Sequence, residues 1–243
     1  MLKKFLKYIA SFSPIALTKN EQYDRLTFAV LKKVCTANSI CVDVGANEGK
    51  VLMLMHKVAP LAKHIAFEPI PVLYNQLYKK YNHIAHVFEV ALSNKKGLST
   101  FNCVLTNMAY SGLLKRPYDR IEKDTIIKVQ TNLLDAYIAA TTNIQLIKID
   151  VEGGEMLVLK GAIQTLQRCK PIVLFEFGMA GANAYGVNPL AMFQFFSETL
   201  NYEIFTLQNW LKGNAALSFS QFNNLYEANT EYFFLAAPTT ANQ

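Results

Sequence analysis

The chain has 243 residues, of which 51% are hydrophobic and 17% are charged, and its formal net charge is +6. This composition excludes an intrinsically disordered protein, and the length suits one α/β domain with modest additions better than two complete domains. The positive charge is concentrated at the start, because residues 1–33 hold seven lysine or arginine residues against two acidic ones. Such an excess can favour anionic lipid or acidic substrates, but a solvated face is the simpler interpretation.

The first 17 residues, MLKKFLKYIASFSPIAL, have the lysines of a signal peptide, but polar residues interrupt their apolar stretch. Secretion is therefore not supported, and no window of about 20 residues is apolar enough to span a bilayer. Residues 1–12 are predicted to form an amphipathic helix that packs on the protein or makes weak contact with a membrane surface. Four scattered cysteines without paired histidines indicate reduced thiols and a cytoplasmic protein, with peripheral membrane contact left open.

Short β-rich runs alternate with helical stretches after residue 38, which predicts one parallel sheet with helices on both faces. We predict an N-terminal helical extension over 1–38 and a single domain over 39–243. The predicted strands are 39–44, 64–68, 85–92, 145–150, 171–177, 202–207 and 231–236. The predicted helices are 48–59, 71–81, 154–168 and 189–200. The last two strands are expected to form a hairpin-like pair.

Residues 93–143 do not fit this simple alternation. LSTFNCVL and IIKVQT indicate extra strands, and NLLDAYIAA indicates a helix, so the segment is predicted to be an insertion beside the active edge of the sheet. Residues 208–230 are expected to form a long connection between the final two strands.

The stretch CVDVGANEGK, residues 41–50, predicts a strand that ends in Asp43 and turns through Gly45, Asn47 and Gly49 into a helix. Glycines let the backbone turn tightly and let a flat ligand lie against it. A purely structural corner between strand and helix is the alternative.

Glu68 ends the second predicted strand, 25 positions after Asp43. A carboxylate at this place can accept two hydrogen bonds from the vicinal diol of a ribose. Alternatively, Glu68 caps the helix that opens near Pro69 to Val72. Together with the glycine turn, Glu68 favours a nucleoside ligand.

The fourth strand of the predicted sheet ends in LIKIDVEGGEMLVLKGA, where a period of two places Lys148 and Asp150 on one face. Asp150 and Glu152 are then expected near the mouth of the glycine turn, where they can orient a hydroxyl or a catalytic water. Glu176 adds another acid to the same rim. The alternative is a salt-bridged strand terminus in which Lys148 neutralises Asp150.

The series VDVGANEG, AFEPIPVLYNQL, EVALSN, LIKIDVEGGEMLVLKGA and PIVLFEF resembles the FkbM family of S-adenosylmethionine-dependent methyltransferases. The resemblance covers about residues 39 to 177 and implies a seven-stranded Rossmann-like fold with S-adenosylmethionine as cofactor. It implies that the donor's methionine part lies near Asp43 to Gly49, its ribose on Glu68 and its adenine near Val90 to Leu92. The cofactor-binding residues so implied are Asp43, Gly45, Asn47, Gly49, Glu68, Ala91 and Leu92.

The resemblance also implies methyl transfer to a hydroxyl, often on a sugar or a natural-product scaffold. Asp150 is the first choice for the base that takes the hydroxyl proton, with Glu152 and Glu176 as alternatives. No clustered metal ligands argue for an ion, and no nucleic-acid partner is expected. The chain carries Ser111 and Gly112 where relatives tend to carry a serine pair. Acceptor choice is expected to depend on the two ends of the chain, where no family motif is recognisable.

Two other classes of protein remain open. A nicotinamide-linked oxidoreductase also uses a glycine turn and a strand-end acid, but the GANEG turn lacks the GxGxxG pattern that accommodates a pyrophosphate. The third possibility is a non-catalytic binding protein on a methyltransferase fold.

Overall fold

The computed structural model describes residues 18–239. The predicted amphipathic helix over 1–12 and the membrane contact of residues 1–17 lie outside the described residues. The first described helix, α1 (Lys19–Val34), begins at Thr18, whose hydroxyl accepts a hydrogen bond from the backbone N–H of Glu21 while the Glu21 carboxylate accepts one from Thr18. This reciprocal cap satisfies two backbone donors that a helix start leaves free.

The main sheet has seven strands in the order β3-β2-β1-β7-β8-β10-β9, which confirms the predicted seven-stranded Rossmann-like fold. Its strands are β1 (Ile40–Val44), β2 (His64–Phe67), β3 (Ala85–Phe88), β7 (Ile144–Ile149), β8 (Ile172–Glu176), β9 (Tyr202–Thr206) and β10 (Phe233–Pro238). Only β10 runs antiparallel, to both β8 and β9. The hairpin-like C-terminal pair is therefore present.

Helices cover both faces of this sheet. They are α2 (Lys50–Val58), α3 (Pro71–Tyr81), α4 (Glu155–Lys160), α5 (Ile163–Cys169), α6 (Met179–Ala184), α7 (Pro189–Gln194), α8 (Leu207–Leu211) and α9 (Phe219–Glu227). The alternation along β7 explains the two layers: Ile147 and Ile149 belong to one buried cluster, whereas Leu146 belongs to the other, with Val30 and Leu31 of α1. Lys148 lies on the α1 side with Leu146.

A second sheet of three strands joins β4 (Ala91–Leu92), β6 (Asp124–Asn132) and β5 (Gly97–Val104). The predicted third strand over 85–92 is therefore wrong as one element: Ala91 and Leu92 leave the main sheet and pair with Thr131 and Asn132. Both extra strands predicted within 93–143 are present as β5 and β6. They pair antiparallel along the whole length of β5.

Three other boundaries differ from the sequence prediction. The helix predicted over NLLDAYIAA is a single 3-10 turn, Leu134–Ala136. The helix predicted over 154–168 is divided into α4 and α5 at Gly161 and Ala162, where a Cβ on Gly161 would lie 2.1 Å from the carbonyl oxygen of Ser93. The connection predicted over 208–230 contains α8 and α9, whose capping residues are Thr206 and Ser218.

The division at residue 38 stays a prediction, although α1 packs its Tyr23, Val30 and Leu31 into the core beside β1 and β10. Within residues 18–239, no helix is both long enough and apolar enough to cross a bilayer.

Candidate active site

A cavity of about 770 Å³ opens at the carboxyl ends of β1, β2, β7 and β8. This is the edge where ligands bind in open parallel sheets, and the volume is that of a small-molecule site. The walls of the cavity come from the strand ends, the segment after β5, α1, the region of α6, and the residues around the start of β10. Predicted site residues in these walls are Gly45, Asn47, Glu68, Ala91, Leu92, Asp150, Glu152 and Glu176.

The glycine turn is held closely against its two neighbouring strands. The backbone N–H groups of Gly45 and Ala46 both donate to the carbonyl oxygen of Phe67, at 3.0 Å. Gly45 has φ +74°, and a Cβ there would lie 2.0 Å from the backbone oxygen of Asp150. Only glycine therefore fits where the turn crosses the end of β7.

Glu68 reaches across from β2 to this turn. One carboxylate oxygen accepts the N–H of Asn47 and the other accepts that of Ile70, each at 2.9 Å. Ile70 is the residue from which α3 begins, so Glu68 also serves the capping role that the sequence left open. Burial raises the pKa of Glu68 to about 7. Each oxygen keeps a lone pair with which it can accept a further hydrogen bond from a diol.

Asp43 and Gly49, both predicted to bind cofactor, do not line the cavity. Asp43 is fully buried beneath the turn, where its carboxylate forms an ion pair with Lys148 at 3.4 Å. Gly49 caps α2 at φ +78°, and a Cβ there would lie 2.5 Å from the ring of Tyr81. The geometry gives both residues a supporting position behind the surface of the site.

Lys148, on β7, connects the ends of β1 and β7 through its ammonium group. Its ammonium donates to the carbonyl oxygen of Gly45 at 3.0 Å and lies 3.4 Å from a carboxylate oxygen of Asp150 as well as from Asp43. Burial alone would lower the pKa of Lys148, but the two carboxylates outweigh it and raise the pKa. The salt bridge between Lys148 and Asp150 considered from the sequence is therefore present, and Asp150 still faces the cavity.

Three carboxylates meet at the centre of the cavity, where one oxygen from each of Asp150, Glu152 and Glu176 lies within 4.8 Å of the others. Burial raises the pKa of Glu152 to about 8, with the charge of Asp150 adding to it. Burial and the neighbouring acids also raise the pKa of Glu176 well above its usual range. A divalent cation can bridge carboxylates at such spacing, but Lys148 and Arg116 already supply two positive charges here, and we assign no metal.

Ala91 and Leu92 form part of an apolar wall with Val90 and Phe101. They reach the cavity because β4 leaves the main sheet just beyond the end of β3. The predicted place for an adenine ring is thus a surface that suits a flat apolar group.

The sequence did not single out several residues that the structure brings to the cavity. Tyr110 and Arg116 come from the segment between β5 and β6, Tyr23 comes from α1, and Tyr232 directly precedes β10. The Tyr23 hydroxyl donates to the Glu231 carboxylate at 2.6 Å, across 208 residues of sequence. Contacts between such distant residues leave no local pattern. The one sequence feature that pointed to this part of the site was the predicted insertion over residues 93–143 beside the active edge of the sheet.

Comparisons with known proteins agree with this architecture. The profile of the family described as "Methyltransferase FkbM domain" matches residues 43–204. The curated 2-O-methyltransferase NoeI of Sinorhizobium fredii (strain NBRC 101917 / NGR234) is 27% identical over 146 residues, which cover 54% of this chain and 60% of the relative. The crystal structure of methyltransferase FkbM from Methylobacillus flagellatus KT aligns with a TM-score of 0.52 and 15% identity, and covers 84% of this chain and 44% of that one.

The strand order, with a single antiparallel strand next to the edge, and the acidic cavity at the strand ends define a protein of the Rossmann-like methyltransferase class. Because the family profile covers more than half of the sequence, the chain belongs to the FkbM methyltransferase family. The chain spans 60% of the length of the curated relative that it matches.

Proposed function

We propose that the protein is an S-adenosylmethionine-dependent O-methyltransferase that acts on a hydroxyl of a small-molecule or glycan acceptor. The observation that carries this proposal is Glu68, a buried carboxylate that faces the cavity beside the glycine turn with acceptor capacity on both oxygens. The family and the curated 2-O-methyltransferase relative support transfer to oxygen.

The residues present fit the cofactor. Glu68 would hold the ribose diol, Val90, Ala91 and Leu92 would contact the adenine, and the turn from Gly45 to Asn47 would face the methionine part. Asp43 and Gly49 would act behind this surface. When bound, S-adenosylmethionine supplies a methyl group on a sulfonium, which an oxygen nucleophile can displace.

A neutral hydroxyl is a weak nucleophile, so the site must remove its proton as the new bond to carbon forms. Asp150 and Glu152 line the cavity and are placed to do this, one as base and the other to orient the acceptor. Such proton transfer contributes about 10²- to 10⁴-fold to the rate. The site must also exclude competing water and fix the line of attack.

The acidic centre also supports an uncharged acceptor. Asp150, Glu152 and Glu176 repel phosphate groups wherever they are ionised, which argues against nucleic acid as acceptor despite the net charge of +6. A sugar hydroxyl carries no charge and can donate to a carboxylate.

Titration calorimetry with S-adenosylmethionine, S-adenosylhomocysteine and NAD tests the cofactor assignment. We expect both sulfur compounds to bind and NAD to give no heat beyond dilution. Binding of NAD alone would favour the oxidoreductase alternative, and no binding of any of the three would favour a non-catalytic protein.

A further inference from the structure

A strap over residues 105–123 connects β5 to β6 and lines one side of the cavity. It is fixed at its first half, where Gly112 exchanges two backbone hydrogen bonds with Asn102 and the Ser111 hydroxyl accepts the N–H of Val104. The N–H of Leu114 then donates to the hydroxyl of Tyr185, beside α6. Ser111, Gly112 and Leu114 thus anchor the strap.

Arg116 extends from this strap into the acidic centre. Its guanidinium lies 2.5 Å from a carboxylate oxygen of Glu152, and both side chains are 13% exposed. The guanidinium carbon lies 4.5 Å from the centre of the Tyr110 ring, which stacks on Tyr118 at 6.3 Å. Tyr118 in turn donates to Asp124 at the start of β6. The arginine is therefore held by the fixed parts of the strap on both sides.

Glu152 is held in an unusual backbone conformation. Its φ of +60° lies in the left-handed region, which a residue with a Cβ adopts at an energetic cost. Such a conformation persists when surrounding contacts impose it, and it is concentrated at functional sites. Glycine would adopt this conformation without strain, but glutamate at this position directs a carboxylate toward Arg116 and the cavity.

Titratable side chains from several neighbouring elements surround Glu152. Asp150 follows β7, Glu155 opens α4, Glu176 ends β8, and Tyr185 follows α6. After burial, the acids Asp150 and Glu155 disfavour the ionised form of Glu152, whereas Arg116 favours it.

We propose that Arg116 is a positioning residue for Glu152: from the strap it fixes this carboxylate at the cavity and supplies the positive charge that lets it serve as the acceptor's base. This role as base rests on the proposed function. In that step the hydroxyl proton passes to a Glu152 oxygen, the bond from acceptor oxygen to methyl carbon forms, and the bond from carbon to sulfur breaks with the electron pair left on sulfur. Asp150, already paired with Lys148, then orients the acceptor.

The proposal can be tested without an acceptor, by carbon-13 NMR titration of protein labelled at glutamate side-chain carboxyls, with Glu152→Gln to assign the signal. In Arg116→Gln we expect the pH midpoint of the Glu152 carboxyl titration to rise by about one pH unit or more. The substitution removes an opposite charge that, within a few ångströms, stabilises the ionised carboxylate by that amount. Arg116→Lys should restore part of the shift. Arg120→Gln is the matched control, since Arg120 lies on the same strap but pairs with Glu122 outside the cavity.

A Glu152 midpoint unchanged in folded Arg116→Gln would overturn the proposal, and so would an equal shift in Arg120→Gln. The midpoint tests the charge that Arg116 supplies to Glu152, and the pH dependence of methyl transfer tests the role of Glu152 as base. If Arg116→Gln does not fold, Arg116→Lys gives the decision: a Glu152 midpoint above that of wild type supports the proposal, and a midpoint equal to that of wild type overturns it.

The role of Glu152 as base is tested by measuring the rate of methyl transfer from labelled S-adenosylmethionine to a panel of methyl glycosides, from pH 6 to 9. We expect the rising limb of the rate to move to higher pH in Arg116→Gln, in parallel with the NMR midpoint, and Glu152→Gln to lose about 10²-fold or more. Calorimetry separates the two failures. If the wild-type protein does not bind S-adenosylmethionine, the proposed function is refuted. If Arg116→Gln binds it and turns over normally, and its rate rises at the same pH as that of wild type, the proposed role of Arg116 is refuted.

Discussion

Single residues at the strand ends account for the chemistry proposed for this cavity. Glu68 receives two backbone N–H groups that orient its carboxylate, and its burial raises its pKa to about 7. Its ionised form, which accepts hydrogen bonds most strongly, is therefore favoured only above neutral pH. Lys148 provides the opposite charge beneath the turn and connects Asp43 with Asp150.

Replacing Glu68 with alanine should weaken binding of S-adenosylhomocysteine by about 1–3 kcal/mol, because two ribose hydrogen bonds to a carboxylate are lost. Calorimetry at pH 8.5, above the raised pKa, measures the full effect. Glu89→Ala is the control, since Glu89 is exposed just after β3 and does not line the cavity. Equal affinities of the Glu68 variant and wild type would contradict the ribose assignment.

At the scale of elements, the site is the junction of β1, β2 and β7. The turn after β1 lies across the end of β7, with the Gly45 α-carbon facing the backbone of Asp150 so closely that a methyl group has no room. The carbonyl of Phe67 at the end of β2 accepts both N–H groups of the turn. These backbone contacts set the distance between the proposed cofactor surface and the carboxylates.

Gly45→Ala should therefore disturb both stability and binding. The left-handed φ and the overlap with Asp150 together should lower the free energy of unfolding by about 1–3 kcal/mol or more, as measured by urea denaturation. Binding of S-adenosylhomocysteine by the folded fraction should weaken as well. Gly97→Ala is the matched control, because a Cβ there meets nothing within 4 Å. Similar losses in both variants would show that the crossing of the turn over β7 is not what limits the site.

At the scale of the whole molecule, the fold collects acids into one cavity whose rim includes residues that are distant in the sequence. Tyr232 donates to Asn20 of α1 at 2.6 Å, so the C-terminal strand and the first described helix meet at the rim. Burial raises the pKa of Glu155 to about 7, as it does for Glu68, and raises that of Glu152 to about 8. The folded protein thus holds protons that the unfolded chain would release.

This accumulation predicts that stability falls as pH rises from 6.5 to 8.5. An acid whose folded pKa lies above its unfolded value, about 4.3 for glutamate, binds more protons in the native state, so the free energy of unfolding decreases through the folded pKa. His64, whose pKa burial lowers to about 4, has the opposite sign, but its contribution is complete above pH 6.5. Thermal melting across this range measures the slope. Glu176→Gln should flatten it, and a melting temperature that rises with pH would contradict the prediction.

The sequence alone determined the features that depend on local pattern. The strands with their period of two, the glycine turn at Gly45 and the strand-end acids Glu68, Asp150, Glu152 and Glu176 are all readable because neighbours along the chain specify them. The order of motifs also indicated the family. Only the tertiary structure decided which of these groups meet: it paired Lys148 with both Asp43 and Asp150, and it carried Ala91 and Leu92 into a second sheet. It also brought Arg116 onto Glu152, 36 positions away, because ion pairs between separate loops depend on how the strands pack and leave no periodic signal in the sequence.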